Sequence, residues 1–126
     1  MKLSLRSEYA LLLLIQLSRQ AEALPALAAR EQIPAEALAE ILSVLSRAGY
    51  VEQAQGQARL AQSAEKISVA EIIRLFDGAL APLEPVSSKG YAPAPMDGEA
   101  KLTGLFEQIQ EQISIRLEST TIAELA

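Results

Sequence analysis

The segment from residue 24 to residue 61, LPALAAREQIPAEALAEILSVLSRAGYVEQAQGQARLA, leaves few folds open to this chain. Pro25 suits the first turn of a short helix over residues 25–31, because its missing N–H would be unpaired there in any case. Pro34 cannot continue that helix and disfavours helical backbone at Ile33, so the chain breaks at Gln32-Ile33-Pro34 and restarts. Over residues 35–48, Leu38, Ile41, Leu42 and Leu45 recur at i, i+3, i+4, i+7 and give a second helix one apolar stripe. Gly49 is the residue expected just past its end. Short strands follow over residues 50–54 and 58–61, with Gly56-Gln57 fitting a two-residue hairpin turn led by glycine. Helix, tight turn, helix and hairpin in this order make a winged helix-turn-helix, a device that sets one helix in a groove of DNA.

The flanking sequence supplies the rest of a mainly α fold. The chain's 126 residues suffice for one ordinary core. Apolar residues make up 50% but aromatics only 4%, so that core is built of Leu, Ile, Val and Ala, a mixture suited to helices packed on helices. A first helix is expected over residues 4–20, with Leu5, Tyr9, Leu12, Leu13, Leu14, Ile15 and Leu17 burying several sides, some of them against a partner subunit. Lys2 and Arg6 before the apolar run 9–15, and Ala21-Glu22-Ala23 after it, have the outline of a cleaved signal. Glu8 beside the run and Gln16, Arg19 and Gln20 behind it favour a buried helix of a cytoplasmic protein instead. The run is also too short to span a bilayer, so no membrane partner is expected.

Ser68-Val69-Ala70-Glu71 is a capping box opening a helix over residues 69–76. Residues 79–98 lose periodicity and gather Pro82, Pro85, Pro93 and Pro95 with Gly90 and Gly98, which reads as a long loop. Residues 99–119 resume a helix. Its stripe of Leu102, Leu105, Phe106, Ile109, Ile113 and Leu117 is longer than a lone helix needs, so a partner helix across a dimer axis is expected. Thr121 and Glu124 form a second possible capping box in a terminal turn, residues 121–126. The chain thus divides into a winged helix-turn-helix domain (1–78), a Pro/Gly-rich loop (79–98), and a dimerisation helix with a C-terminal turn (99–126).

Charge and composition narrow the function. There is no cysteine and no histidine, which removes disulfides, thiolate catalysis, Cys/His zinc sites and the commonest general base. No carboxylate pair sits in a recognisable acid/base or metal motif and no glycine loop is built for phosphates, so an enzyme is not expected. The net charge of −5 opposes indiscriminate polyanion binding. That charge lies wholly in residues 67–126, with four basic and nine acidic side chains, while residues 1–66 balance seven against seven. A neutral N-terminal half still binds DNA if its cations share a face.

The order of elements resembles the Rrf2 family of bacterial transcriptional regulators. The resemblance rests on MKLSLRSEYALLLLIQLS at the start, LAAREQIPAEALAEILSVLSRAGYV through the helix-turn-helix, ISVAEIIRLFDG after the wing and LESTTIAEL near the end, and so covers essentially the whole chain. It implies a homodimer joined by long C-terminal helices that binds a two-fold operator in double-stranded DNA. Family members usually carry a basic, glycine-rich wing; here QAQGQARLA is about three residues shorter and keeps one basic residue, Arg59. Many also hold an iron–sulfur cluster through three cysteines in the loop before the long helix. The corresponding loop has none, and Glu8, placed where some relatives add a carboxylate ligand, cannot hold a cluster alone. No cofactor is therefore expected.

The candidate DNA face comprises Arg6, Ala35, Glu36, Ala37, Glu40, Arg47, Gln55, Gln57 and Arg59. Arg6 is a phosphate clamp or an exposed helix-end arginine. Arg59 clamps a phosphate or enters a minor groove, or else pairs across the hairpin with Glu52. Glu36, Ala37 and Glu40 lie on the outer face of the recognition helix, where carboxylates accept from cytosine N4 or remain a solvated surface. Arg47 contacts phosphate or caps its own helix through the C-terminal dipole. Lys89 and Tyr91 in the loop line an effector pocket for a small molecule or protein, or form an unspecialised loop. The resulting expectation is a DNA-binding transcriptional regulator, a repressor, acting as a homodimer. The alternative is a degenerate member that has kept the dimer scaffold, lost DNA binding and serves as an interaction subunit.

Overall fold

A computed structural model of the chain describes residues 3–78 and 98–126. Lys89, Tyr91 and nearly all of the expected loop therefore lie outside the described residues.

Helix α1 (Leu5–Arg19) starts at Ser4, whose hydroxyl accepts the Ser7 N–H at 3.1 Å and so satisfies one of the free donors of the first turn. It buries Ala10, Leu13, Leu14 and Leu17 completely or nearly so. The backbone turns extended at Gln20, and Glu22–Ala23 then form strand β1, which the sequence reading did not foresee. The Ala-Glu-Ala step is thus part of a sheet, with Glu22 buried. Helix α2 (Leu24–Glu31) carries Pro25 in its first turn and ends at Gln32, which takes the left-handed conformation at φ 53°. The Ile33 N–H closes that end on the Ala28 carbonyl at 3.1 Å. Helix α3 (Ala35–Arg47) buries the expected stripe of Leu38, Ile41, Leu42 and Leu45. Its exit is a Schellman ending. Gly49 sits at φ 87°, its N–H bonds the Ser46 carbonyl at 3.1 Å, and the Tyr50 N–H bonds the Leu45 carbonyl at 2.9 Å.

The wing differs in detail from expectation. Strands β2 (Val51–Ala54) and β3 (Gln57–Leu60) pair antiparallel with Ala54 opposite Gln57, so the turn is Gln55-Gly56 and not Gly56-Gln57. Gln55 and Gly56 both have positive φ, 55° and 74°, the requirement of a type I′ turn, whose twist matches a hairpin. This register turns Ala58 into the core and Arg59 out to solvent. Strand β1 adds to the other edge of β3, with Glu22 opposite Ala58, giving the order β1-β3-β2.

A one-turn 3-10 helix (Ala64–Lys66) leads to the capping box of α4 (Val69–Asp77). Both halves of that box form: the Ser68 N–H donates to Glu71 Oε1 at 2.9 Å and the Glu71 N–H to Ser68 Oγ at 3.1 Å. Gly78, at φ 78°, ends the helix. Helix α5 (Ala100–Ser119) contains no buried residue, and Leu117 half-covers itself against Val69, Ala70 and Ile73. Helix α6 (Ile122–Leu125), opened by the Thr121–Glu124 box, drives Ile122 fully into the core formed by α1, α2 and α3. Bonds of 2.9 Å from Ile122 N–H to the Ile67 carbonyl and from Val69 N–H to the Thr120 carbonyl pin it there. Among the described residues, no helix is long and apolar enough to cross a membrane.

Candidate nucleic-acid interface

With its apolar stripe buried, α3 turns Glu36, Ala39, Glu40, Ser43 and Arg47 outward as one strip, and Ala35 is exposed at its start. Ala37 departs from expectation: it is half-buried against the core, because it sits one turn before Ile41 on the stripe's flank. Pro34 precedes the helix without a side-chain cap, so the Glu36 carboxylate in the first turn complements the positive end of the helix dipole. Ala39 is exposed on the same strip, three residues after Glu36, and its helical spacing places it there.

The cations of this face are engaged. Arg6, in the first turn of α1, pairs with Glu40 of α3 at 2.7 Å, both side chains about half exposed (47% and 55%). Its guanidinium also lies 5.2 Å from the centroid of the Phe76 ring on α4, a cation–π contact. The nearby Asp77 accepts the Ser4 N–H at 3.2 Å. Burial pushes the Asp77 carboxyl up, but the Ser4 hydrogen bonds and the Arg6 charge outweigh it and hold the pKa below the ordinary aspartate value. Arg59 donates to Glu52 Oε2 at 2.9 Å, directly across the β2–β3 register, so the cross-strand pairing is formed. Arg47 donates from Nε to the Ser43 carbonyl at 3.4 Å, one turn back on its own helix. Gln55 and Gln57 are exposed at the wing tip.

Further polar contacts position the wing, and the sequence reading missed them. Gln53 of β2 donates to Ser46 Oγ of α3 at 3.0 Å. Tyr50, just before β2, donates its hydroxyl to Glu71 Oε2 at 2.8 Å. Burial, together with that carboxylate, pushes the phenol up to about 12, so it remains a donor. Beneath β1, Glu22 Oε1 accepts from Gln16 at 3.0 Å and from Gln20 at 3.3 Å, and pairs with Arg30. No motif marks these residues. They meet only because β1 bends the chain back between α1 and α2.

The geometry is that of a recognition module. A helix is anchored by its inner stripe, a polar strip is presented outward, and a hairpin is braced beside it by side-chain hydrogen bonds. Exposed ion pairs of this kind contribute about 0–1 kcal/mol, so a phosphate can displace their carboxylates. Among the described residues no group of His, Cys, Asp or Glu is arranged to hold a metal ion. Fold and site together define a winged helix-turn-helix protein.

A family model described as Rrf2, an iron-dependent transcriptional regulator, matches residues 3–126. An HTH-type transcriptional regulator of Mycobacterium tuberculosis is 31% identical over 134 residues, covering 100% of this chain and 81% of that protein. The chain belongs to the Rrf2 family of transcriptional regulators. Among solved structures, the oxidized form of CymR from Staphylococcus aureus is similar at a TM-score of 0.78 and 26% identity, covering 100% of this chain and 96% of that one. CymR of B. subtilis, described as its global cysteine regulator, shares the fold at a TM-score of 0.81 and 24% identity, with 100% and 96% covered. An iron–sulfur cluster held by thiolates does not fit the donors of this chain. Iron–sulfur clusters are held by thiolates, and the sequence has neither cysteine nor histidine. Glu8, on the exposed side of α1, is a lone carboxylate.

Proposed function

We propose that this chain binds double-stranded DNA as a homodimer in the cytoplasm and represses transcription from a two-fold operator. The observation that carries the reading is the outward strip of α3, from Glu36 to Arg47, with the wing braced beside it. In a two-fold dimer the strips would enter successive major grooves about one DNA turn apart, each wing lying on the flanking backbone. Dimerisation is supported by α5, which has no fully buried residue within one chain and exposes Leu102, Leu105, Ile109 and Ile115. Phe106 and Ile113 are half-covered on the same helix, beside a shallow groove lined by Ile109, Gln112, Ile113, Arg116 and Leu117. The chain acts without catalysis and without an iron–sulfur cluster. A small molecule or protein acting at residues 79–98, which include Lys89 and Tyr91, is the regulatory input consistent with this donor set.

A second reading, an interaction subunit that has lost DNA binding, is favoured by the Arg6–Glu40 and Arg59–Glu52 pairs, which neutralise two of the face's cations. Selection from a pool of random duplexes at low salt separates the two. Enrichment of a two-fold motif is the expected result. A folded, dimeric sample that enriches nothing would replace operator binding with the interaction-subunit reading.

A further inference from the structure

We infer that Glu40 and Glu52 are specificity-determining residues that act as built-in competitors of DNA phosphate. The inference rests on the DNA-binding reading above and extends it to how unrelated duplexes are rejected.

The two pairs share one construction. Arg6 meets Glu40 at 2.7 Å and Arg59 meets Glu52 at 2.9 Å, and all four side chains are about half exposed or more. Arg6 belongs to α1 and meets Glu40 on the outward strip of α3, while Arg59 and Glu52 face each other across the two strands of the wing. A guanidinium offers five donors in a planar fork, so one carboxylate leaves donors open toward solvent. Its charge is nonetheless cancelled locally, and a neutral pair adds nothing net to the counterion release that drives sequence-independent binding. Arg6 lies between Glu40 and the Phe76 ring, so a phosphate that reaches its open donors meets the full cationic charge only by taking the place of the carboxylate.

That exchange has different consequences at different sequences. Glu40 lies on the outward strip of α3, and once released from Arg6 it can accept from a cytosine N4 amino group. Where the groove presents no amino group to it, from cytosine N4 or adenine N6, the freed carboxylate faces only acceptors, the thymine methyl and the phosphate it has just yielded to. Glu52 sits on the wing strand opposite Arg59 and screens that cation in the same way. Exposed pairs are weak, so the screen is permeable at the correct site and sufficient to suppress contacts that have little else to offer.

The test uses the full-length protein and its Glu40→Gln and Glu52→Gln variants. Both substitutions keep side-chain shape at exposed positions. Binding is measured to the duplex selected from the random pool and to an unrelated duplex, each across a salt titration. The expected result is roughly two- to fivefold tighter binding of the unrelated duplex per substitution. The slope of log affinity against log salt should steepen by up to about 0.9 per cation freed, and the ratio of selected to unrelated affinity should fall. Adding Arg6→Gln to Glu40→Gln should cancel the gain. If the wild type binds the selected duplex and the variants bind both duplexes with unchanged affinity and slope, the competitor role is overturned while DNA binding stands. If neither wild type nor variants bind any duplex, the DNA-binding reading itself fails. Binding by the variants alone would support the screen and show it to be complete in the native chain.

Discussion

Glu22 is a buried carboxylate, 6% exposed, whose Oε2 has no hydrogen-bond partner while Oε1 gathers Gln16, Gln20 and Arg30. Burial alone would raise its pKa. The hydrogen bonds from Gln20 and Gln16, with the Arg30 charge, outweigh burial and hold it below the ordinary value of 4.5. A lowered folded pKa contributes stability in full above the unfolded value, and that contribution is lost as pH falls through the folded one. Asp77 has the same sign. Tyr50 has the opposite sign: raised from 10.0 to about 12, it contributes below 10.0 and loses that contribution as pH rises toward 12. Urea midpoints followed against pH should therefore hold level near neutrality and fall at both ends. Glu22→Gln should flatten the acid limb and Tyr50→Phe the alkaline one. Unchanged limbs in both variants would remove these groups from the linkage. None of this was legible in the sequence, because a lone Glu in Ala-Glu-Ala gives no sign of burial. The outward glutamates of α3 were legible from helical spacing, whereas their pairing with Arg6 required α1 and α3 to be packed together.

At the scale of elements, local signals located nearly every helix. Pro34, the Schellman glycine Gly49 and the Ser68–Glu71 box act through backbone donors and acceptors a few residues away, so sequence reports them directly. Strand β1 escaped because two residues carry no periodicity and are extended only by pairing with β3. The hairpin turn was misplaced by one residue because glycine suits either turn position, and burial of Ala58 fixed the register. The terminal helix α6 is the element whose importance is hardest to see from sequence. The sequence reading gave only a capped terminal turn with no apolar stripe, yet Ile122 is fully buried while Leu125 is exposed. Ile122→Ala should cost about 2–5 kcal/mol. Leu125→Ala should stay within roughly 0.5 kcal/mol. Denaturant unfolding of the two variants checks this, and equal costs would remove α6 from the core.

Among the described residues the molecule is a small helical core with one long helix that it covers only in part. The exposed leucines and isoleucines of α5 run the length of its 20 residues, and Leu5 and Leu12 of α1 are exposed as well. In the proposed homodimer another copy covers this surface. Ile109→Glu should therefore yield a folded monomer with sharply weakened operator binding, read by sedimentation and by circular dichroism. A dimer that survives the substitution would place the interface elsewhere. The family follows from motifs spread over the whole chain, so sequence sufficed for it. Absence of cysteine likewise decided, without coordinates, that thiolate-held iron does not fit. By itself the sequence determined the helices, their caps and the winged helix-turn-helix order, because those depend on contacts within a few residues. Only the tertiary structure decided that Glu22 is buried, that Ile122 completes the core and that Arg6 and Arg59 each face a glutamate. Those are contacts between elements, and the sequence of neither partner encodes the distance between them.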